Sequence, residues 1–411
     1  MNDMLRAHAD QIVRAAIDAV LPDEATRRAL ERVALTGRVR LVAAGKAAWR
    51  MAKTASDALG EGIESGVVIT KYGHAQGPIA NFQCFEAGHP VPDGNSFRAT
   101  EAALRLVSDL TENDTVLFLL SGGGSALFEK PLVSAEELKD ITAQLLACGA
   151  DITEINTIRK RLSAVKGGRF ARLCAPARVE AVVLSDVLGD PLDMIASGPA
   201  CPDSATAADA RRAAEKYGLR LSADARALLD VETPKALDNV HTQITGSVRL
   251  LCAAAARACE ALGYRPILLT DRLACEAREA GRFLGAVART HAGEGQALAF
   301  IAGGETVVHL TGRGLGGRNQ ELALAAAPAL DGLAGAAVFS VGSDGTDGPT
   351  DAAGGYVDGH SLAALRALGV DAEAALADND AYHALGAIGG LILTGPTGTN
   401  VNDVSLALIR R

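Results

Sequence analysis

The chain is poor in aromatic residues: five Tyr, nine Phe and one Trp among 411 positions. That leaves little material for stacking platforms of the kind that hold single-stranded nucleic acid. It also lacks a Lys/Arg-dense face, and its formal net charge is −9. A nucleic-acid partner therefore has little support. No run of about 18 apolar residues occurs, so no membrane-spanning helix is expected. The opening Met1-Asn2-Asp3-Met4 has no basic-then-apolar leader layout. The seven cysteines (Cys84, Cys148, Cys174, Cys201, Cys252, Cys259 and Cys275) contain no CxxC pair. Their odd count and apolar surroundings read as reduced core residues, and a cytoplasmic setting is expected.

Glycine, by contrast, is abundant: 44 of 411 residues, or about 11% against a usual share of about 7%. The glycines cluster in short loops between apolar runs, where backbone approaches a ligand closely. The length predicts two or three domains. Short apolar runs at Val39–Ala43, Val67–Thr70, Val116–Leu120 and Val179–Leu184 alternate with helical patterns, and the alternation continues through Pro266–Leu269, Ala297–Ala302, Val307–Leu310, Ala337–Val341 and Leu391–Leu393. Such alternation predicts two α/β domains with mostly parallel sheets. The polar stretch 231–246 places the boundary between domains 1–237 and 238–411. No internal repeat is visible.

In open α/β sheets ligands bind beyond the carboxyl ends of strands, and here those positions carry glycine, hydroxyls or acids. Ser121-Gly122-Gly123-Gly124-Ser125 follows the run 116–120, and its bare N–H groups suit a nucleotide phosphate or a carboxylate. Gly45-Lys46 ends another strand and opens a helix, adding a cation, although the Walker pattern is absent. Ser185-Asp186 to Asp193 follows a third. Its acids suit a Mg²⁺ ion, with Asp186 and then Asp190 as ligands. Residues 156–169 form the densest basic stretch, with Arg159, Ser163 and Lys166 at helical spacing; Lys166 is expected to face the nucleotide.

In the second half Gly303-Gly304-Glu305 follows a strand, placing Glu305 at the site. Gly312-Arg313-Gly314-Leu315-Gly316-Gly317-Arg318 matches Gly-x-Gly-x-x-Gly, the dinucleotide fingerprint. Its flanking arginines favour a more highly charged ligand. Ser343-Asp344-Gly345-Thr346-Asp347 follows another strand, and Thr394–Asp403 is a loop of hydroxyls and amides. His89 sits in a Gly-His-Pro turn with no other histidine at metal-ligand spacing.

Taken in order, Ala44–Ala47, Ala87–Pro92, Leu120–Leu127, Ile158–Arg169, Leu184–Pro199, Gly303–Glu305, Gly316–Leu322, Gly342–Ala353 and Thr394–Asp403 resemble the glycerate 2-kinase family, whose C-terminal half carries the multi-organism fragment rich in leucine. The resemblance implies two α/β domains, the first Rossmann-like, with the active-site cleft between them. It implies ATP and Mg²⁺ as cofactors and D-glycerate as the substrate, phosphorylated at C2. By resemblance Lys46 and Arg318 are catalytic residues. Asp186 and Asp344 are alternative bases for the hydroxyl proton, and Ser121 to Ser125, Lys166 and Glu305 are expected around the nucleotide. Small-molecule partners only are expected, in a monomer or homodimer. Some members carry a hydroxypyruvate reductase label, and an NAD(P)H-dependent reductase is the alternative reading.

Overall fold

The computed structural model describes residues 1–410. They fold as two compact units. One comprises Ala25–Ser185 and Asp190–Thr245; the other comprises Met1–Glu24, Asp186–Gly189 and Gly246–Arg411.

The N-terminal unit is built on β1 (Val39–Ala44), β2 (Ser65–Lys71), β3 (Phe82–Ala87), β4 (Thr115–Leu120), β5 (Arg178–Leu184) and β6 (Val240–Gly246). Their order across the sheet is β3-β2-β1-β4-β5-β6, the arrangement of a doubly wound dinucleotide-type fold. β1 to β5 pair in parallel. β4 is buried along its whole length, which explains why its sequence is continuously apolar rather than alternating. Beneath the sheet, Leu41, Ala43, Leu117, Leu119 and Val182 share one core with Trp49, Met51 and Ala52 of the helix Ala48–Leu59. Two strands escape the sequence pattern. β3 is only partly buried, and β6 occupies the polar stretch expected to be a boundary. Edge strands with one wet face carry no continuous apolar run.

The C-terminal unit holds β7 (Arg265–Leu273), β8 (Leu298–Gly304), β9 (Ala336–Gly342), β10 (Gly354–Asp358), β11 (Leu391–Ile392) and β12 (Asp403–Ile409). Their order is β11-β10-β9-β12-β8-β7. The expectation of mostly parallel sheets describes the first unit; this second sheet is mixed. β7 and β8 run parallel, whereas β12 is antiparallel to both β8 and β9, and β10 is antiparallel to β9 and β11. The expected strand Val307–Leu310 is reduced to a single bridge between Val307 and Glu276.

Alternate residues of β9 and β12 enter opposite layers, as strand geometry requires. Phe339, Leu406 and Leu408 pack with the helices Asp3–Asp18 and Val248–Ala261. Val338 and Ala407 pack with Ala277–His291 and Arg318–Leu330. The first helix therefore belongs to the C-terminal unit, and the division expected at 237/238 is corrected. Leu5, Ala9, Ile12, Val13, Ala16 and Ile17 form an apolar stripe that shares this sheet face with the helix Val248–Ala261. Arg6 fastens it by donating to the carbonyls of Gly389 at 3.0 Å and Leu391 at 2.8 Å. Burying each Leu, Ile or Val of the stripe stabilises by about 1.5–3 kcal/mol. No helix among the described residues is long and apolar enough to cross a membrane.

Candidate active site

In the N-terminal sheet the order reverses between β1 and β4, and the loops leaving these two strands define the place where such folds bind ligands. They are Gly45-Lys46 and Ser121–Ser125. The structure ties them together. The Lys46 N–H donates to the Gly122 carbonyl at 2.8 Å, and the Ala47 N–H donates to Ser121 Oγ at 3.0 Å. Gly45 has φ +128°, and a Cβ there would lie 2.2 Å from Ser121 Oγ. Gly123 has φ +85°, and a Cβ would meet His89 at 2.9 Å and Lys46 Cγ at 3.3 Å. Glycine is therefore required at both turns, and Lys46 and His89 flank Gly123. No carboxylate lies within ion-pair distance of the Lys46 ammonium among the described residues. Burial, then the Lys46 charge, holds the His89 imidazole below its ordinary pKa. His89 was legible only as a turn histidine, because nothing in its local sequence indicates what lies opposite it.

Lys166 is corrected. It is fully buried, its ammonium lies 2.6 Å from Glu129, and it donates to the Phe128 carbonyl at 3.1 Å. Its pKa is pushed down to about 8 by burial, against the pull of Glu129. This is an internal ion pair, and the side chain is not available to a nucleotide. Asp193 is likewise engaged, by Lys160 at 3.3 Å and the Ser204 hydroxyl at 2.8 Å.

The C-terminal unit assembles a second, acidic cluster. β12 runs against β8 and β9, so its first residue, Asp403, lies opposite the last residues of both, Gly304 and Gly342. Arg318, the first residue of its helix, sends Nε to Asp403 Oδ2 at 2.6 Å and Nη2 to Oδ1 at 3.0 Å. Its Nη1 reaches Glu305 at 2.8 Å. Asn402 donates to Glu305 at 3.2 Å and to the Asp186 carbonyl at 3.2 Å. A Cβ on Gly342 would sit 3.2 Å from Asp344 and 3.4 Å from Asp403, so glycine leaves room for two carboxylates. Burial pushes the Asp403 carboxyl up, and Arg318 opposes it. Burial works against the Arg318 charge, and the Asp403 and Glu305 carboxylates more than offset it, so its pKa rises above the arginine norm.

Asp347 accepts from the backbone N–H groups of Gln320 at 2.9 Å and Asn319 at 3.1 Å, at the positive end of the Arg318–Leu330 helix. Burial nevertheless pushes its pKa up to about 6. Asp344 caps its own turn by accepting from the Thr346 N–H at 3.0 Å. Glu305, Arg318 and Asp344 therefore share this end of the sheet. Asp403 was missed as a site residue, although the nearly continuous apolar run from Val404 to Ile409 marks a buried strand for which Asp403 is the start.

The dinucleotide fingerprint is closed. The N–H groups of Gly312, Arg313, Gly314 and Leu315 already donate to Asn379, Asp378 and Asp380, at 2.8–2.9 Å. A Cβ on Gly312 or Gly314 would fall within 2.3–2.4 Å of Asp378 or Asp380. Those glycines serve packing against residues 378–380, and no N–H of these four is left for a pyrophosphate.

For a metal, no group of three or more His, Cys, Asp or Glu side chains is arranged to hold one among the described residues. Mg²⁺ in phosphoryl transfer commonly takes only one or two carboxylates besides phosphate and water. Asp190 offers one such carboxylate, since its Oδ1 is buried without a hydrogen-bond partner.

Two family models match the chain: a domain of unknown function, DUF4147, over residues 8–230, and the MOFRL family over residues 298–403. A D-glycerate 2-kinase of Thermotoga maritima is 54% identical over 99% of both chains. A glycerate 2-kinase of Pyrococcus horikoshii is 41% identical, over 91% of this chain and 88% of its own. The crystal structure of a glycerate kinase from Thermotoga maritima superposes with a TM-score of 0.96 at 53% identity, covering 99% of this chain and all of the other. Two proteins of Agrobacterium vitis with the provisional name hydroxypyruvate reductase are 42% and 40% identical over 91% of this chain. The chain belongs to the glycerate kinase family.

Proposed function

We propose that this chain transfers the γ-phosphoryl group of ATP to the C2 hydroxyl of D-glycerate, releasing 2-phosphoglycerate and ADP. The observation that carries the reading is the 54% identity to a D-glycerate 2-kinase over 99% of both chains. Phosphoryl transfer needs in-line positioning and neutralised charge more than covalent chemistry. The Ser121–Ser125 loop receives an anionic group, and the Lys46 ammonium offsets its charge. Arg318 stabilises charge on the transferred group or grips the glycerate carboxylate, with Glu305 and Asp403 holding its guanidinium in one plane. Asp186 or Asp344 accepts the hydroxyl proton. Mg²⁺, held by Asp190 and Asp186, would supply charge neutralisation at the phosphates. The protein is proposed to act in the cytoplasm as a monomer or homodimer.

The reductase reading rests on a name in some relatives, and the occupied N–H groups of Gly312 to Leu315 weigh against it. One assay separates the two. Purified protein with ATP, Mg²⁺ and D-glycerate is coupled to enolase without phosphoglycerate mutase, beside a cuvette of hydroxypyruvate and NADH. Enolase signal is expected, with NADH unchanged. ADP without enolase signal would move the phosphoryl group to another hydroxyl, and NADH oxidation without ADP would overturn the kinase reading.

A further inference from the structure

The cations of the stretch 159–169 differ sharply in what they touch. Lys160 binds Asp203 at 2.9 Å. Arg161 donates to the carbonyls of Val231 at 2.7 Å and Ala205 at 2.9 Å and lies 3.4 Å from Glu232. Lys166 holds Glu129. Arg169 caps three carbonyls, the nearest that of Ser163 at 2.5 Å. Arg159 has no such set. Its one hydrogen bond runs from Nη2 to the Ser125 carbonyl at a long 3.3 Å. Its Nε is enclosed by protein and has no partner. No carboxylate lies within ion-pair distance among the described residues, and burial holds its pKa below the arginine norm. A guanidinium offers five donors in a planar fork. Leaving the enclosed Nε unmet is unfavourable, and the half-buried side chain leaves the outer guanidinium nitrogens within reach of an arriving acceptor.

Its surroundings supply the rest of a site. Ser125 is the last residue of the glycine loop, and its hydroxyl lies 3.1 Å from that of Ser197. The Ser197 hydroxyl donates to Asn156 at 2.9 Å, one helical turn before Arg159. Ala196 and Ser197 both adopt left-handed backbone, at φ +49° and +61°, a costly conformation for non-glycine residues that the surrounding structure must hold in place. At the other end of the same loop Lys46 flanks Gly123, again without a carboxylate.

We infer that Arg159 is an oxyanion-binding residue, its guanidinium taking a carboxylate or phosphoryl oxygen of a substrate beside Ser125, Asn156 and Ser197. In naming substrates the inference rests on the kinase reading: the oxyanion belongs either to D-glycerate or to the nucleotide.

The test uses the full chain carrying Arg159→Gly or Arg159→Lys, with thermal unfolding to confirm the fold. In Arg159→Gly, kcat/KM is expected to fall at least tenfold, and added guanidinium is expected to restore part of it. A raised KM for D-glycerate with ADP affinity unchanged in calorimetry assigns the carboxylate. Weakened ADP binding assigns the phosphate. Kinetic constants within twofold of the parent, or a loss tracking a lower Tm with no guanidinium rescue, would overturn the inference. Should the unsubstituted protein turn over no glycerate, the kinase reading falls separately. Calorimetry with ADP and inorganic phosphate still decides: binding that Arg159→Gly lacks supports the site, and the same result for both proteins overturns it.

Discussion

Arg318 grips Asp403 at two points, 2.6 and 3.0 Å, while its third nitrogen reaches Glu305 at 2.8 Å. The planar guanidinium is thus oriented before any substrate binds. Losing one preorganised charge contact raises a barrier by about 2–4 kcal/mol. Arg318→Ala is expected to lower kcat/KM by roughly a hundredfold or more. Arg318→Lys should recover little, because an ammonium cannot hold two oxygens in one plane. A fall of less than about fivefold in steady-state kinetics would remove Arg318 from the reaction.

Asp347 should leave a signature in stability against pH. Its folded pKa, about 6, exceeds the unfolded value of about 3.9. The folded state therefore holds a proton that the unfolded state releases, and stability falls as pH rises from about 4 to 6. At about 1.4 kcal/mol per unit, the loss is at most about 3 kcal/mol. Asp403 shifts in the same direction. Asp347→Asn should be less stable at pH 4, because its amide NH2 replaces one of the two oxygens that accept from Asn319 and Gln320, but flatter across that window. Urea unfolding between pH 4 and 7 reads the slope; equal slopes would reject the assignment.

Glu129 and Lys166 are both fully buried, 2.6 Å apart. Removing one partner strands a buried charge at a cost of about 3–5 kcal/mol. Lys166→Met is expected to lower Tm markedly, and the double variant with Glu129→Leu should regain much of it. The KM values of folded Lys166→Met should stay near those of the parent. A large selective rise in KM for ATP would restore Lys166 to nucleotide binding.

Gly123→Ala asks whether the loop is built for close approach. At φ +85° an alanine is strained by about 1–2 kcal/mol, and its methyl would press on His89 and Lys46. Weaker ADP binding is expected in calorimetry, with secondary structure unchanged by circular dichroism. Affinity equal to the parent's would show that the loop is only a turn.

Asp186 and Asp344 can be separated as bases. Replacing the true base by Asn should cost about 10²–10⁴ in kcat and remove the acidic limb of the pH–rate profile. The other substitution should leave that limb in place. If both variants keep it, neither carboxylate takes the proton.

What the sequence determined is local. Continuous apolar runs disclosed β1, β2, β4, β5, β8 and β9, because a strand covered on both faces has no alternation to display, whereas the buried β10 and β12 went unread. Glycines, hydroxyls and acids after those runs marked the strand ends proposed to face ligands, and the order of nine motifs disclosed the family. Tertiary structure decided the rest, because it depends on which distant segments meet. Only folding shows that helix Asp3–Asp18 covers the C-terminal sheet. Only the antiparallel entry of β12 puts Asp403 between the ends of β8 and β9, where Arg318 can hold it. The basic stretch 159–169 reads as one uniform charge run in sequence. The fold divides it into buried partners for Glu129, Asp203 and backbone carbonyls, and one arginine left with a single long hydrogen bond, because burial and pairing are properties of neighbours in space.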